Sequence, residues 1–294
     1  MNSTVQENFQ NQYRNLRENW ESRFYTFLEE TGFSQTPPVL REAMEYSLNA
    51  GGKRLRPVIC LSVSEHLNLP DQSAMFLASA LECLHTYSLV HDDLPAIDND
   101  DFRRGKPSNH KKFGEDTAIL VGDALQSLSF ELLAKAEAGA KIFEYFSRAV
   151  GPSGMVGGQF LDIHSSNESG EGYLDRMHKN KTGRLFCASV ILPYLYSDSE
   201  ITIEPLEQWA LDLGLLFQVV DDILDATASS EKLGKTAGKD DDQNKLTFVS
   251  VYGVEKAGEI AKNLKESLQT KASELFSGSL FLQNIAGFFY SRTS

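Results

Sequence analysis

The sequence HDDLPAIDNDDFRR, residues 91–104, is the stretch around which the rest of the chain is organised. It contains five aspartates and two adjacent arginines, and Pro95 disfavours a regular helix through it. We therefore expect a helix to end near Asp93 and the following loop to fold Asp98 back beside Asp92. Two carboxylates held together in this way are suited to binding a divalent cation.

A second acidic cluster lies far downstream, in the sequence DDILD of residues 221–225. Asp221 and Asp225 are four residues apart, so one face of a helix carries both, and Gln218 lies one turn earlier on the same side. Each cluster is embedded in apolar sequence, where like charges are costly unless they are neutralised. We therefore interpret the two clusters as a shared pocket for metal and a polyanionic substrate, rather than as solvated helix faces. Oxygen ligands without a set of Cys or His residues favour Mg²⁺ over zinc.

Composition narrows the class of protein. The chain has 294 residues, of which 41% are hydrophobic, and its net charge of −13 argues against nucleic acid or an anionic membrane as the main partner. The three cysteines form neither a metal spacing nor a disulfide framework, which indicates a reducing compartment. The polar N-terminal stretch has no apolar h-region, so we expect no secretory signal, and no apolar run approaches the roughly 18 residues that span a bilayer. We expect a soluble, cytoplasmic protein that does not insert into membranes.

Helical periodicity dominates the chain, and no convincing strand pattern is present. Helices are predicted over residues 5–30, 38–49, 54–67, 71–93, 115–136, 139–150, 155–165, 173–195, 203–228, 248–274 and 278–291. Residues 229–246 form a long polar connection of a kind that is usually functional or disordered. No repeat or break in composition marks a second domain, so the sequence predicts an all-α fold in one large bundle of about a dozen helices.

Several sets of basic residues accompany the two acidic clusters. They comprise Lys53, Arg54 and Arg56 after the glycine pair 51–52, then Arg103 and Arg104, then Lys181, and finally Lys235 and Lys245. Each set has an ordinary alternative: the first could be a surface turn, and the second could simply pair with neighbouring aspartates. His85 on an apolar helix could likewise be a core histidine. Two acidic clusters with three or more basic sets nevertheless indicate two phosphorylated ligands, one held through metal and one held directly by cations.

The motifs GGKRLRP, HTYSLVHDDLPAIDNDDFRRGKPS, GDALQ, GGQFLD, KTG and FQVVDDILD occur in this order along the chain. With these motifs the chain resembles the trans-prenyltransferases, the short-chain isoprenyl diphosphate synthases, and it is most similar to the bacterial-type farnesyl diphosphate synthases. The resemblance implies the isoprenoid synthase fold, with helices around a central cavity, in a single polyprenyl synthetase domain over residues 1–294. It also implies three Mg²⁺ ions and a homodimer.

The resemblance further implies a head-to-tail condensation of isopentenyl diphosphate with an allylic diphosphate, either dimethylallyl or geranyl, and release of diphosphate. The implied magnesium ligands are Asp92, Asp98, Asp221 and Asp225, and of these Asp225 would act with Asp222 in a supporting, outer position. The residues implied to neutralise the allylic diphosphate are Arg103, Lys181 and Lys235. Those implied to hold isopentenyl diphosphate are Lys53, Arg56, His85 and Arg104. The oxygens of Thr182 and Gln218 would stabilise the allylic cation, with Lys181 beside them. Which of Lys235, Lys239 and Lys245 reaches phosphate stays open, and Arg292 is a further candidate in the tail.

Product length should depend on the residues just before the first acidic motif. Ser88 and Tyr87 stand four and five positions before Asp92, and in the family a bulky residue there shortens the product. Tyr87 therefore favours C15 farnesyl diphosphate, with C20 geranylgeranyl diphosphate as the alternative. Two other classes of function are possible. A terpene cyclase normally lacks a second DDxxD motif, and a non-catalytic subunit would have eroded aspartates, so both fit this sequence less well.

Overall fold

The computed structural model describes residues 3–165, 171–199, 202–227 and 246–293. They fall into two compact units, which we call the N-terminal unit (Asn15–Phe143) and the C-terminal unit (Met1–Arg14 with Glu144–Ser294). Helices make up nearly all of both units, which confirms the all-α fold predicted from the sequence. Helices α1 (Ser3–Glu29) and α7 (Ala140–Val150) are each divided between the two units.

The N-terminal unit is built around one buried helix. Its elements are α2 (Pro38–Leu48), α3 (Leu55–His66), α4 (Asp71–Asp92), β1 (Phe102–Arg103), β2 (Lys106–Pro107), α5 (Asn109–Phe113) and α6 (Glu115–Lys135). Helix α4 packs against α2, α3 and α6, and every residue from Ala74 to Leu84 is buried. Pro70 precedes α4, and Asp71 lies in its first turn, where a negative charge interacts favourably with the helix dipole. The apolar sequence of α4 on all sides therefore fits a core helix.

The C-terminal unit is organised around α11. Its elements are α8 (Met155–Ile163), α9 (Glu171–His178), a π-helical segment (Lys179–Gly183), α10 (Arg184–Tyr196), α11 (Ile203–Thr227), α12 (Phe248–Leu275) and α13 (Leu280–Tyr290). Helix α11 packs against α10, α12 and the π-helical segment. Thr247 and Ser250 form a capping box that begins α12. The indole N–H of Trp209 donates to the carbonyl of Leu268 at 3.1 Å, which ties α11 to α12.

Two features differ from the predicted elements. The helix predicted over residues 173–195 is interrupted by the π-helical segment, in which one extra residue is accommodated per turn. A Cβ on Gly214 would lie 2.7 Å from the Cα of Gly183, so α11 and this segment approach each other closely. The second difference is the short antiparallel strand pair β1–β2, which closes the loop after α4. No alternation of apolar and polar residues in the sequence predicts it.

Helix α6 is the one described helix that is long and apolar enough to cross a membrane, and 44% of that apolar window is buried. Helix α6 packs on α4, as a core helix does. Ile119 and Leu120 on its other side are 45% and 57% exposed. Cys60, Cys83 and Cys187 are buried, and burial raises the pKa of each thiol, which fits their interpretation as core residues.

Candidate functional site

The acidic loop after α4 folds back onto the end of that helix, as the sequence predicts. The backbone N–H of Asp98 donates to the carbonyl of Asp92 at 2.9 Å, and that of Asp100 donates to the carbonyl of Asp93 at 3.1 Å. Asn99 has a φ of 50°, which asparagine adopts more readily than most residues. These bonds hold the backbones of Asp92 and Asp98 side by side at one end of α4.

Asp93 is buried and bound to Arg103 rather than presented to a ligand. Arg103 Nε donates to Asp93 Oδ1 at 2.9 Å, Nη2 donates to the same oxygen, and Nη2 also lies 3.4 Å from Asp100 Oδ2. Burial raises the pKa of the Asp93 carboxyl, while the guanidinium opposes that rise by favouring the charged form. The arginine predicted to neutralise a diphosphate therefore also holds the acidic loop in place. The sequence alone assigns no role to Asp93.

Arg104 lies against the glycine pair that precedes α3. Its guanidinium donates to the carbonyl of Gly51. A Cβ on Gly52 would lie 2.5 Å from Arg104 Cζ, so only glycine leaves room for this contact. Gly52 also has a φ of 122°, a conformation that residues with a Cβ rarely adopt. The glycine is thus required both by its backbone and by the arginine that it accommodates.

Arg56, His85 and Arg104 form a group that we call the cationic cluster. Burial holds the pKa of His85 well below its ordinary value, and the charges of Arg56 and Arg104 lower it further. His85 is therefore a neutral imidazole near positive charges. Lys53, which the sequence placed in the same set, is exposed just before α3. Guanidinium groups gathered in this way suit the oxygens of a phosphate.

Arg54 has a structural role that separates it from its neighbours in the GGKRLRP motif. Its Nη1 donates to Glu82 Oε1 at 2.5 Å, its Nη2 donates to the carbonyl of Leu48 at 2.6 Å, and its Nε lies 3.3 Å from Glu21 Oε1. The side chains of Arg54 and Glu82 are only 6% and 2% exposed. This buried pair is committed to the core, so Arg54 is not a ligand-binding cation.

Tyr87 and His91 occupy the last turns of α4, on the side of that helix nearest α6. Their rings meet edge to face with centroids 5.0 Å apart, and His91 Nε2 lies 3.0 Å from the carbonyl oxygen of Ile119 in α6. A Cβ on Gly122 would overlap the His91 ring, so this glycine admits the histidine. The GDALQ motif therefore helps to fix the end of α4. No sequence pattern marks His91 as a positioning residue.

In the C-terminal unit, a chain of hydrogen bonds links the π-helical segment to α11 and α12. Thr182 Oγ1 donates to Gln218 Oε1 at 3.2 Å, and Gln218 Nε2 donates to Asp222 Oδ1 at 2.8 Å. The backbone N–H of Phe248, at the start of α12, donates to Asp222 Oδ2 at 2.7 Å. The structure thus brings together Thr182 and Gln218, the two residues predicted to stabilise a cation.

Lys181 is held by the GGQFLD motif. Its Nζ lies 2.5 Å from Asp162 Oδ2, the carboxylate at the end of that motif. A Cβ on Gly158 would overlap the backbone nitrogen of Lys181, so the second glycine of the motif permits the close approach of α8. The sequence alone assigns no role to any residue of this motif.

Asp221 and Asp225 lie half-buried on α11, one turn apart. Arg292, in the short 3₁₀ turn that follows α13, donates through Nη2 to Asp221 Oδ1. The same guanidinium lies 5.1 Å from the centroid of the Phe217 ring. A positive group therefore already pairs with the carboxylate that the sequence predicts to bind magnesium.

The donor chemistry fits magnesium. Within the parts of the chain that the structure describes, neither unit gathers three or more His, Cys, Asp or Glu side chains around one point. Mg²⁺ is usually held by one or two carboxylates, while substrate phosphates and water complete its coordination. Each unit offers a pair of carboxylates for this purpose, since Asp98 is folded against Asp92 and since Asp221 and Asp225 lie one turn apart on α11. Lys235, Lys239 and Lys245 lie outside the described residues.

Known proteins resemble this chain over most of its length. The polyprenyl synthetase family matches residues 37–276. A heterodimeric geranylgeranyl pyrophosphate synthase large subunit 1 from Arabidopsis thaliana is 48% identical over 241 residues, which are 78% of this chain and 65% of that relative. The chain thus spans slightly less than two thirds of the length of this relative. A geranylgeranyl pyrophosphate synthase from Capsicum annuum is 45% identical over 81% of this chain and 67% of that protein.

Several solved structures also resemble this chain over most of its length. A geranyltranstransferase from Thermotoga maritima, 32% identical, covers 95% of this chain and 98% of its own, with a TM-score of 0.80. A geranyltransferase from Helicobacter pylori, solved with magnesium and isoprenyl diphosphate, is 34% identical, covers 94% and 96% of the two chains, and has a TM-score of 0.79. These similarities confirm the isoprenoid synthase fold expected from the sequence.

Proposed function

Because the chain belongs to the polyprenyl synthetase family, we propose that it is a trans-prenyltransferase that condenses isopentenyl diphosphate with an allylic diphosphate. The observation that carries this proposal is the presence of two different anion-binding arrangements within the N-terminal unit. The acidic loop, with Asp98 folded against Asp92, suits a diphosphate bridged by metal. The cationic cluster suits a second diphosphate bound directly. A terpene cyclase, which ionises a single allylic diphosphate, has no use for the second arrangement.

The side chains of this protein would have the following roles in the reaction. Asp92, Asp98, Asp221 and Asp225 would hold magnesium, which supplies positive charge to the allylic diphosphate as that group leaves. Arg103, Lys181 and Lys235 would neutralise the same diphosphate, and Lys53 would join the cationic cluster in binding isopentenyl diphosphate. The number of magnesium ions, three, stays a prediction.

The reaction itself is a transfer of a prenyl group. The allylic carbon–oxygen bond breaks, and diphosphate leaves with the electron pair. The double bond of isopentenyl diphosphate then attacks the allylic carbon and forms the new carbon–carbon bond, and loss of a proton, which the departing diphosphate can accept, restores a double bond. The oxygens of Thr182 and Gln218 would face the developing cation and stabilise it by their partial negative charge.

For the product, we propose C20 geranylgeranyl diphosphate, with C15 farnesyl diphosphate as the alternative. The expectation of a C15 product from Tyr87 is not confirmed. The relatives from A. thaliana and C. annuum that are named geranylgeranyl pyrophosphate synthases favour the longer product. The Tyr87 ring packs edge to face against His91, whose Nε2 lies 3.0 Å from the carbonyl oxygen of Ile119 in α6. Burial is the main cause that raises the pKa of the Tyr87 hydroxyl, and the charges of Asp92 and Asp123 add to it.

A homodimer remains our proposal for the assembly. Leu120 and Ile119 give α6 an exposed apolar patch, which supports a protein partner on this helix. The name of the A. thaliana relative describes it as a subunit of a heterodimer, so a different chain is the alternative partner. The cytoplasmic location likewise stays a prediction.

A product assay tests this function. The purified chain would be incubated with Mg²⁺, labelled isopentenyl diphosphate and dimethylallyl, geranyl or farnesyl diphosphate, and the dephosphorylated products would be separated by length. We expect a C20 product that disappears in Asp92→Asn and in the absence of Mg²⁺. A C15 end product would replace the proposed product without changing the reaction class, and Tyr87→Ala should then lengthen it. No product with any starter would indicate a non-catalytic subunit, and hydrocarbon released from an allylic diphosphate alone would indicate a cyclase.

A further inference from the structure

We propose that Asp222 is a positioning residue that fixes the orientation of the Gln218 side-chain amide, so that the amide oxygen faces Thr182 and the reacting carbon. This inference rests on the proposed prenyltransferase function, because it concerns the stabilisation of the allylic cation. It gives the second aspartate of the DDILD motif a role different from that of Asp221. That role is electrostatic and acts through Gln218.

Both carboxylate oxygens of Asp222 are occupied inside the C-terminal unit. Oδ2 accepts from the backbone N–H of Phe248 at 2.7 Å, and Oδ1 accepts from Gln218 Nε2 at 2.8 Å. The residue is 5% exposed, whereas Asp221 is half-buried on the same helix. Asp222 is therefore positioned to accept hydrogen bonds from two protein donors.

The chemistry of these partners fixes the direction of the amide. A backbone N–H can only donate, and an ionised carboxylate can only accept. Gln218 must therefore turn its NH₂ group towards Asp222, which leaves Oε1 on the opposite side. The Thr182 hydroxyl donates to that oxygen at 3.2 Å, which is consistent with the same orientation.

The orientation matters because the two ends of an amide carry opposite partial charges. The oxygen would stabilise a cation nearby, whereas the NH₂ group would destabilise it by a similar amount. Gln218 lies one turn before Asp221 on the same side of α11, so its free lone pair is presented beside the proposed magnesium ligand. Reversing the amide would exchange a favourable dipole for an unfavourable one at the reacting carbon.

Asp222→Asn tests this proposal with little change in shape. The backbone N–H of Phe248 would donate to the introduced amide oxygen, so the introduced NH₂ group would face Gln218. Gln218 would then offer its oxygen to that group and its own NH₂ to Thr182. We expect kcat to fall on the order of 10²-fold, while KM for both substrates stays within about threefold, since Asp222 is buried and both of its carboxylate oxygens accept from protein donors.

A double variant that exchanges the two side-chain types distinguishes loss of the Gln218 orientation from a general disturbance of the structure. In Asp222→Asn combined with Gln218→Glu, the introduced amide donates to the introduced carboxylate, and an oxygen again faces Thr182. We expect kcat of this double variant to exceed that of either single variant by tenfold or more, because Gln218→Glu alone places two carboxylates in contact. A double variant no faster than the slower single variant would overturn the proposal.

A binding measurement provides a readout that does not depend on turnover. Calorimetry with Mg²⁺ would compare an ammonium analogue of the allylic diphosphate with a neutral thiolo-diphosphate analogue. We expect Asp222→Asn to weaken only the ammonium analogue, by about tenfold. Equal weakening of both analogues, or an unchanged kcat, would overturn the proposal. Failure of the wild-type chain to form any product would instead count against the proposed function, and the ratio of the two affinities would still decide the role of Asp222.

Discussion

At the scale of single residues, the close approach of a charged side chain to the backbone explains why glycine stands at particular positions. Gly52 and Gly51 are adjacent, and both have positive φ values, of 122° and 86°. A Cβ on Gly52 would lie 2.5 Å from Arg104 Cζ, whereas a Cβ on Gly51 would meet nothing within 4 Å. The two glycines therefore separate the effect of backbone strain from the effect of displacing an arginine.

We predict that Gly52→Ala weakens binding of isopentenyl diphosphate, because the added methyl group must push the Arg104 guanidinium away from the carbonyl of Gly51. KM for isopentenyl diphosphate should rise about tenfold, which corresponds to about 1.4 kcal/mol. KM for the allylic substrate should change little. Steady-state kinetics with each substrate varied in turn would measure both values.

Gly51→Ala is the matched control for this prediction. Both variants should lose about 1–2 kcal/mol of stability, because each places a Cβ in a strained conformation. Only Gly52→Ala should raise KM for isopentenyl diphosphate. If both variants raised it equally, strain in the loop rather than displacement of Arg104 would be the cause.

At the scale of an element, the junction between α9 and the π-helical segment is held by a buried histidine. His178 is 5% exposed, and its ring stacks on Phe248 with centroids 5.4 Å apart. Neither ring nitrogen has a hydrogen-bond partner among the described residues. The pKa of His178 is lowered to about 4, mainly by burial; Asp162 opposes this change and Lys181 adds to it. The contact joins the start of α12 to the segment that carries Lys181 and Thr182.

We predict that this histidine makes the protein less stable in mild acid. An unfolded histidine titrates near pH 6.5, so between pH 6.5 and 4 the unfolded chain binds a proton that the folded chain does not. Stability contributed by the neutral imidazole is complete above pH 7, falls as the pH drops through 6.5, and levels off near pH 4. The loss attributable to His178 should reach about 3 kcal/mol.

Urea unfolding between pH 7.5 and 4.5 would measure this dependence. His178→Phe keeps an aromatic ring against Phe248 but cannot titrate, so its curve should be flatter than that of the wild type. His164→Phe, at an exposed position, is the control and should follow the wild type. Parallel curves for the wild type and His178→Phe would show that other groups cause the acid sensitivity.

At the scale of the whole molecule, α6 connects the acidic site with the surface. The carbonyl of Ile119 lies 3.0 Å from His91 Nε2, next to the first acidic motif. The Ile119 side chain and its neighbour Leu120 are 45% and 57% exposed. A partner bound to this patch would therefore lie against the helix that fixes the end of α4.

We predict that Leu120→Glu converts a dimer to a monomer, because a buried carboxylate opposite apolar side chains is costly at an interface. Sedimentation velocity at several concentrations would measure the assembly. Val39→Glu changes another exposed apolar residue, 64% exposed on α2, and should leave the assembly unchanged. A wild-type chain that sediments as a monomer at all concentrations would contradict the homodimer.

The sequence by itself determined the all-α class, most helix limits and the folded-back acidic loop. Pro70 and Pro95 bound α4, and a proline acts through its own backbone, so its effect can be predicted locally. The family and the two acidic motifs could be identified for a similar reason, since their residues lie close together in sequence. The spacing of Asp92 and Asp98 was enough to predict the loop that joins them.

Only the tertiary structure decided what adjacent, chemically equal residues do. Arg54 pairs with buried Glu82, whereas Arg56 lies beside His85. Asp222 accepts hydrogen bonds from Gln218 and Phe248, whereas Asp221 pairs with Arg292. The pairings to Glu82, Phe248 and Arg292 join residues 26 to 71 positions apart. Packing sets the burial and the partner of each charge, so residues that are equivalent in a motif acquire different roles only after the chain has folded.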